Sequence, residues 1–221
     1  MMDNAIIKEL EKKLIVAVLV IDDIDTAVDS AKALVAGGIT AIELALRTPV
    51  SYDAIELIHK NVPEMMIGVG TVIKPGQAKK VKELGASFAV APGLNPKIMQ
   101  EAKECGLPFA PGISTASELE RAVELGCNLV KLFPAEALGG IKYFKAMTGP
   151  YKYLGLKYFP LGGVNEENLP AWASEKDICP IGGSWIAKGD LLKERNYSEI
   201  TNRAKKAIEI CKSIKEGVNN E

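Results

Sequence analysis

The sequence contains a single histidine among its 221 residues, and cysteine is also scarce. Catalytic zinc sites usually draw on several imidazoles, so a zinc-dependent enzyme is not expected and no bound metal is predicted. Four cysteines lie far apart, without CxxC spacing, and this indicates neither a thiolate metal site nor a redox pair. They are Cys105, Cys127, Cys179 and Cys211. Any chemistry is expected to depend on other groups.

Long apolar runs and an excess of one charge are missing as well. The only early apolar run, Leu14 to Ile21, is too short to span a bilayer, so neither a membrane span nor a targeting segment is expected. The 27 basic and 28 acidic residues are spread evenly and give a net charge of -1, so nucleic acid is not an expected partner. These features predict a soluble cytoplasmic protein.

Short apolar runs alternate with helical patterns along most of the chain, which is typical of βα units around a parallel sheet. The spacing, roughly 20 to 25 residues per unit, predicts a single-domain (β/α)8 TIM barrel over residues 1–221. An additional N-terminal helix is predicted at Asp3–Lys12, and a final helix at Ser198–Lys215 precedes a polar tail, 217–221, that is expected to fray. The predicted strands are Leu14–Ile21, Ile39–Leu46, Met66–Val69, Phe88–Ala91, Pro108–Ala110, Leu129–Phe133, Lys157–Phe159 and Ile178–Ile181.

A doubly wound open sheet is the alternative fold. Such sheets often bind nucleotides through a glycine-rich fingerprint or a Walker loop after the first strand, and neither follows it here. This absence favours the barrel.

A lysine interrupts the apolar sixth strand, Leu129-Val-Lys-Leu-Phe133. Side chains alternate across a strand, so Lys131 shares a face with Leu129 and Phe133, and a barrel turns that face inward. Burial disfavours the ammonium form, and a neutral amine is a nucleophile. A buried lysine that pairs with a carboxylate for structural reasons alone is the other interpretation.

Two further charges lie on one face of the second strand. Glu43, Ala45 and Arg47 share that face, with Glu43 deeper and Arg47 nearer the carboxyl end, where barrel active sites assemble. The planar guanidinium can bind a carboxylate at two points. An internal ion pair between Arg47 and Glu43 is the alternative. Burying an amine, a carboxylate and a guanidinium without a function is costly, so the three side chains predict an active site.

Two glycine pairs follow the seventh and eighth predicted strands, at Gly162-Gly163 and Gly182-Gly183. Barrels commonly bind phosphate at these connections, and a short helix beginning at Ser184 would add its positive end. Thr71 ends the third strand with a hydroxyl suited to a carboxylate, and Pro92 ends the fourth. Each of these features alone is more typical of a turn.

In chain order, the strings AIELALRTP, GVGT, APGL, PGIST, VKLFPAE, LGGV and IGGSW resemble the bacterial 2-keto-3-deoxy-6-phosphogluconate (KDPG) and 4-hydroxy-2-oxoglutarate (KHG) aldolases. The resemblance spans nearly the whole chain. It implies a class I aldolase without a metal or organic cofactor, assembled as a homotrimer, in which Lys131 forms a Schiff base and Glu43 handles protons. It further implies Arg47 and Thr71 at the pyruvyl carboxylate, Pro92 and Phe133 as pocket walls, and Gly162, Gly163, Gly183 and Ser184 at the distal phosphate.

The implied substrate is a keto acid, KDPG if the glycine pairs bind phosphate and KHG if they do not. Two positions depart from the family pattern. Leu161 stands where members that cleave the gluco substrate often carry threonine, so the choice among gluco, galacto and hydroxyglutarate substrates stays open. Val20 stands where some members place an arginine.

Two rival functions also remain. One is a phosphosugar isomerase or epimerase with Glu43 as base and Lys131 as an electrostatic partner. The other is a non-catalytic sensor of phosphorylated ligands.

Overall fold

The computed structural model describes residues 2 and 4–218 of the chain. Its centre consists of short parallel strands of two to five residues each. Within the described residues the strands are β1 (Ile15–Leu19), β2 (Ala41–Ala45), β3 (Met66–Gly70), β4 (Phe88–Val90), β5 (Phe109–Ala110), β6 (Gly112–Ile113), β7 (Leu129–Leu132), β8 (Lys157–Pro160) and β9 (Ile181–Gly183).

The strands form two sheets. One has six strands in the order β5-β4-β3-β2-β1-β9, and the other has three in the order β6-β7-β8. Every pair of neighbours is parallel. Because parallel neighbours need a crossover connection, a helix lies between successive strands at every step except from β5 to β6. The predicted α/β fold with a parallel sheet is confirmed.

Prolines explain the two clearest differences from the predicted strands. The fifth predicted strand is present as β5, but a further strand, β6, follows Pro111 and pairs with the other sheet. The eighth was predicted at Ile178–Ile181, and this placement is wrong, since β9 begins only at Ile181. Pro180 has no N–H to donate to a ladder, so regular pairing starts after it. Ile178 forms an isolated parallel bridge with Tyr158.

The predicted terminal helices are confirmed with small shifts. The first spans Asn4–Lys13, and Asp3 lies outside the described residues. The last spans Tyr197–Val218 and so extends beyond its predicted end, while 219–221 lie outside the described residues. No helix in the described part of the chain is long and apolar enough to cross a membrane.

The helices lie mainly between strands and at the two chain ends. The α-helices of the described residues are α1 (Asn4–Lys13), α2 (Ala27–Ala36), α3 (Ser51–Asn61), α4 (Gln77–Glu83), α5 (Pro96–Glu104), α6 (Ala116–Glu124), α7 (Gly140–Thr148), α8 (Leu169–Ala173), α9 (Gly189–Lys193) and α10 (Tyr197–Val218). Short 3-10 helices span Ile24–Thr26 and Gly149–Leu154.

The core is divided between the two faces of the strands. Alternation places Val130 and Leu132 of β7 in the cluster shared with the helices, while Leu129 belongs to a separate inner cluster. Ile7 and Leu10 of α1 belong to this inner cluster too. Fully burying such a side chain contributes roughly 1.5 to 3 kcal/mol. Asn128, just before β7, donates a hydrogen bond to Asn4, and Lys13 donates one to Thr40, just before β2. Helix α1 therefore covers the end of the sheets where the strands begin and leaves the carboxyl ends for a site.

Candidate active site

Lys131 on β7 and Glu43 on β2 meet on the inner face of the strands. Lys131 Nζ lies 3.0 Å from Glu43 Oε1 and 3.2 Å from Oε2. The two side chains are only 3% and 1% exposed. The predicted inward direction of Lys131 is confirmed, and a proton can pass between the amine and the carboxylate without intervening water. A purely structural pair would have the same contact but would not need to open onto a cavity, as this one does.

Glycine on the neighbouring strand makes space for the Glu43 carboxylate. In the parallel register Glu43 lies beside Gly68, and Gly70 follows on the same face of β3. A Cβ placed on Gly70 would lie 2.0 Å from Glu43 Oε1. Sequence reasoning assigned no role to Gly70. The available signal was the alternation of Gly68 and Gly70 on a strand beside one that carries inward charges.

Arg47 and Thr71 lie together at the carboxyl ends of β2 and β3. Arg47 is exposed, and its Nε donates a hydrogen bond to Thr71 Oγ1 at 3.3 Å. The predicted depth order, with Glu43 below Arg47, is confirmed. The alternative ion pair between these two residues is wrong, because Glu43 pairs with Lys131 and no ion pair of Arg47 occurs within the described residues. The guanidinium is therefore directed to the mouth of the site.

A cavity of about 150 Å³ opens beside the lysine and the carboxylate. This is the share of about five water molecules, enough for a small organic acid. Six predicted site residues line it, together with Gly182 of the second glycine pair, and sequence reasoning missed Val18 and Val164. The lining residues are Val18, Glu43, Arg47, Lys131, Phe133, Leu161, Gly162, Val164, Gly182 and Ser184. Val18 lies on the inner face of β1, so strand alternation would have found it.

Four predicted site residues lie outside this lining. Thr71 contacts Arg47 as described, and the Pro92 carbonyl faces Gly112, where a Cβ would approach it to 2.2 Å. Gly163 contacts Glu136, and Gly183 lies buried within β9 against Trp185. The structure brings these residues near the site without placing them on the cavity wall.

The predicted geometry after the eighth strand is wrong in two respects. Gly182 and Gly183 lie within β9 and do not follow it. The short helix expected from Ser184 is absent, since residues 184–188 form bends and turns and α9 starts at Gly189. The stretch after Ser184 is apolar and buried over Trp185 to Ala187, so it turns into the core before a helix begins.

The first glycine pair does form a loop after β8, as predicted. Gly162 and Gly163 have φ angles of 91° and 92°, a conformation that favours glycine. In the described part of the chain, the backbone N–H groups of Gly162, Gly163 and Ser184 have no acceptor. Free amides in a glycine turn are suited to an anion.

The fold and the site are those of α/β enzymes in which a buried amine and an adjacent carboxylate act on a carbonyl compound. The chain belongs to the KDPG and KHG aldolase family, whose model matches residues 6–203. The resemblance found in the sequence is confirmed.

Three relatives illustrate the similarity. The KHG/KDPG aldolase of Escherichia coli K12 is 42% identical over 198 residues, covering 90% of this chain and 92% of that protein. A structure of KDPG aldolase from Legionella pneumophila, with pyruvate captured at low pH as a covalent carbinolamine intermediate, has a TM-score of 0.84 and 37% identity, covering 89% and 94% of the two chains. The Zymomonas mobilis aldolase with 3-phosphoglycerate has a TM-score of 0.82 and 33% identity, covering 91% and 94%.

Proposed function

We propose that this protein is a class I aldolase that cleaves KDPG to pyruvate and glyceraldehyde 3-phosphate through a Schiff base on Lys131. The observation that carries the proposal is the buried contact of 3.0 Å between Lys131 Nζ and Glu43 at the cavity wall. Family membership supports the reaction. The carbinolamine in the Legionella relative supports the chemistry, because such an adduct forms when an amine adds to a ketone.

The first stage is imine formation. Glu43 takes a proton from Lys131, and the neutral amine attacks carbon 2 of the keto acid. A second proton passes from the nitrogen to the former ketone oxygen, which gives the carbinolamine. Glu43 then returns a proton to the hydroxyl of the carbinolamine, which leaves as water. The product is an iminium between Lys131 and carbon 2, and it attracts electrons from the adjacent carbon.

The second stage breaks the bond between carbons 3 and 4. Glu43, as carboxylate, takes the proton of the carbon 4 hydroxyl, and the bond electrons move to the iminium. The products are an aldehyde and an enamine of pyruvate on Lys131. Protonation of the enamine at carbon 3 by Glu43 and addition of water to the iminium release pyruvate and restore the amine.

The two ends of the substrate are assigned to the two sides of the cavity. Arg47 and Thr71 would hold the carboxylate of the pyruvyl part, which the exposed guanidinium at the mouth supports. Phe133, whose ring centroid is 5.2 Å from Lys131 Nζ, would form an apolar wall, and Pro92 would shape the pocket from behind it. Gly162, Gly163, Gly183 and Ser184 would bind the distal phosphate, the three glycines through their backbone.

KHG is a second candidate substrate, cleaved to pyruvate and glyoxylate. The E. coli relative carries both substrates in its name, and Leu161 lines the cavity without a group that can hydrogen-bond a carbon 4 hydroxyl. The galacto isomer of KDPG differs at that carbon, so it is the third candidate. Comparing cleavage rates for the three compounds decides among them.

We also propose that the two sheets form one closed (β/α)8 barrel and a single domain over residues 1–221. The bridge between Tyr158 and Ile178 supports closure at one junction, and the continuation of β5 into β6 across Pro111 supports it at the other. A homotrimer follows from the family resemblance. Sedimentation equilibrium should then give three times the chain mass of 23.7 kDa. The cytoplasmic location stays a prediction from the sequence.

Release of pyruvate from KDPG, coupled to lactate dehydrogenase, tests the proposed function. Wild-type protein should release pyruvate continuously, and Lys131→Arg should not, because a guanidinium does not form the iminium. An isomerase or a sensor would release none. Absence of pyruvate with all three candidate substrates would refute the proposal.

A further inference from the structure

Glu136 is a partly buried carboxylate that the proposed mechanism does not use. Its Oε1 accepts a hydrogen bond of 2.7 Å from Nε1 of Trp172, a residue of α8 with no exposed surface. Its Oε2 lies at the amino end of α7, where a Cβ on Gly140 would be 3.0 Å away. The partial positive charge of that helix end favours a carboxylate there. Glu136 is thus fixed from two directions.

The same residue contacts the glycine loop, residues 161–164. Its backbone N–H donates to the Gly162 carbonyl at 3.0 Å. A Cβ on Gly163 would lie 2.5 Å from Glu136 Cβ, so the loop backbone rests directly on this side chain. Helix α8 follows the loop in the chain. Through its backbone bond to Gly162 and its side-chain bond to Trp172, Glu136 therefore holds the chain within the glycine loop and again in the helix that follows it.

Glu136 also follows the strand that carries the reactive amine. It lies five residues beyond Lys131, and it connects that strand to the loop proposed to bind phosphate. A phosphorylated keto acid can span only a limited distance between its ketone carbon and its phosphate, so both ends bind well only if the amine and the loop stay within that distance.

We propose that Glu136 is a positioning residue that sets the glycine loop for the distal phosphate of the substrate. This inference rests on the proposed function. It assigns Glu136 no contact with the reacting atoms, and it predicts an effect confined to ligands that carry the phosphate.

The test compares Glu136→Ala, Glu136→Gln and Trp172→Phe with wild-type protein in two assays. Cleavage of KDPG depends on the phosphate, whereas trapping of pyruvate on the protein by borohydride does not. Glu136→Ala should raise KM for KDPG about tenfold, as expected for loss of a hydrogen bond to a charged group, and change kcat less than about twofold. The rate of pyruvate trapping should stay at the wild-type value.

Glu136→Gln keeps an oxygen acceptor for Trp172 and should give a smaller rise in KM. Trp172→Phe should also raise KM for KDPG. The double variant Glu136→Ala/Trp172→Phe should raise it little further, since each single change already removes the same hydrogen bond. Glu120→Ala is the matched control. Glu120 also accepts a hydrogen bond of 2.7 Å, from Tyr151, but it lies on α6 away from the glycine loop. That variant should leave both assays unchanged.

Three results would overturn the inference. One is an unchanged KM for KDPG in Glu136→Ala. Another is an equal loss in KDPG cleavage and pyruvate trapping, which would show a general structural role. The third is additive effects of Glu136→Ala and Trp172→Phe. Failure of the proposed function would be evident earlier, as wild-type protein that neither traps pyruvate nor cleaves KDPG, and it would remove this inference as well.

Discussion

Gly70→Ala tests how closely the site is built around the Glu43 carboxylate. The added methyl carbon would lie 2.0 Å from Glu43 Oε1, whereas ordinary contact begins near 3.4 Å. If the carboxylate alone moves, it must shift by about 1.4 Å, the difference between those distances. A misplacement of about 1 Å at a reacting group can lower the rate about 100-fold, or about 2.7 kcal/mol in the activation barrier.

The assay is pyruvate release from KDPG, with thermal unfolding measured in parallel. The variant should keep its fold, with a stability loss of about 1 to 3 kcal/mol from overpacking, while kcat falls about 100-fold. Gly189→Ala is the control, because a Cβ there meets nothing within 4 Å. A Gly70→Ala enzyme with wild-type kcat would refute the argument that this glycine sets the position of Glu43.

Three further predictions concern the Glu43 carboxylate, the Cys211 thiol and the cap of α6. Glu43→Gln removes the proton acceptor and should lower kcat for KDPG about 100- to 10,000-fold; a loss under tenfold would contradict its role. Burial raises the pKa of the Cys211 thiol to about 11 from its usual 9, so this thiol stabilises the fold below pH 9 and loses that contribution as the pH rises toward 11. Between pH 8 and pH 10.5 the unfolding free energy, measured in urea, should fall less in Cys211→Ala than in the wild-type protein, and an equal fall in both would contradict this. Thr115 accepts from the Glu118 N–H in a capping box, so Thr115→Ala should lower the unfolding free energy by about 1 kcal/mol in urea with kcat unchanged, and a large loss of kcat would argue against a purely local role.

The inner face of the strands was predictable because side chains alternate with a period of two. This rule placed Lys131, Glu43 and Leu129 together and sent Val130 to the helix layer, as the structure has them. The pairing partner was not predictable in the same way. The contact between Lys131 and Glu43 joins positions 88 residues apart, and the sequence also allowed Arg47 as the partner of Glu43.

Features that depend on packing across the fold could not be read from local patterns. The Ser184 region was predicted as a helix start from its position after a glycine pair, yet buried Trp185 and Ile186 draw the chain inward. The bond between Glu136 and Trp172 spans 36 residues and has no local signature. Pro180 was visible in the sequence, and its missing N–H would have moved the last strand to its correct place.

Trapping with borohydride is the most direct test of the Schiff base proposed on Lys131, because an iminium, and not a carbinolamine, is reduced to a stable covalent adduct. Wild-type protein incubated with pyruvate and borohydride should gain the mass of one reduced pyruvyl unit, and peptide sequencing by mass spectrometry should place it on Lys131. The adduct should be absent from Lys131→Arg. Folded wild-type protein that gains no mass, or that gains it at another lysine, would show that Lys131 does not form the Schiff base.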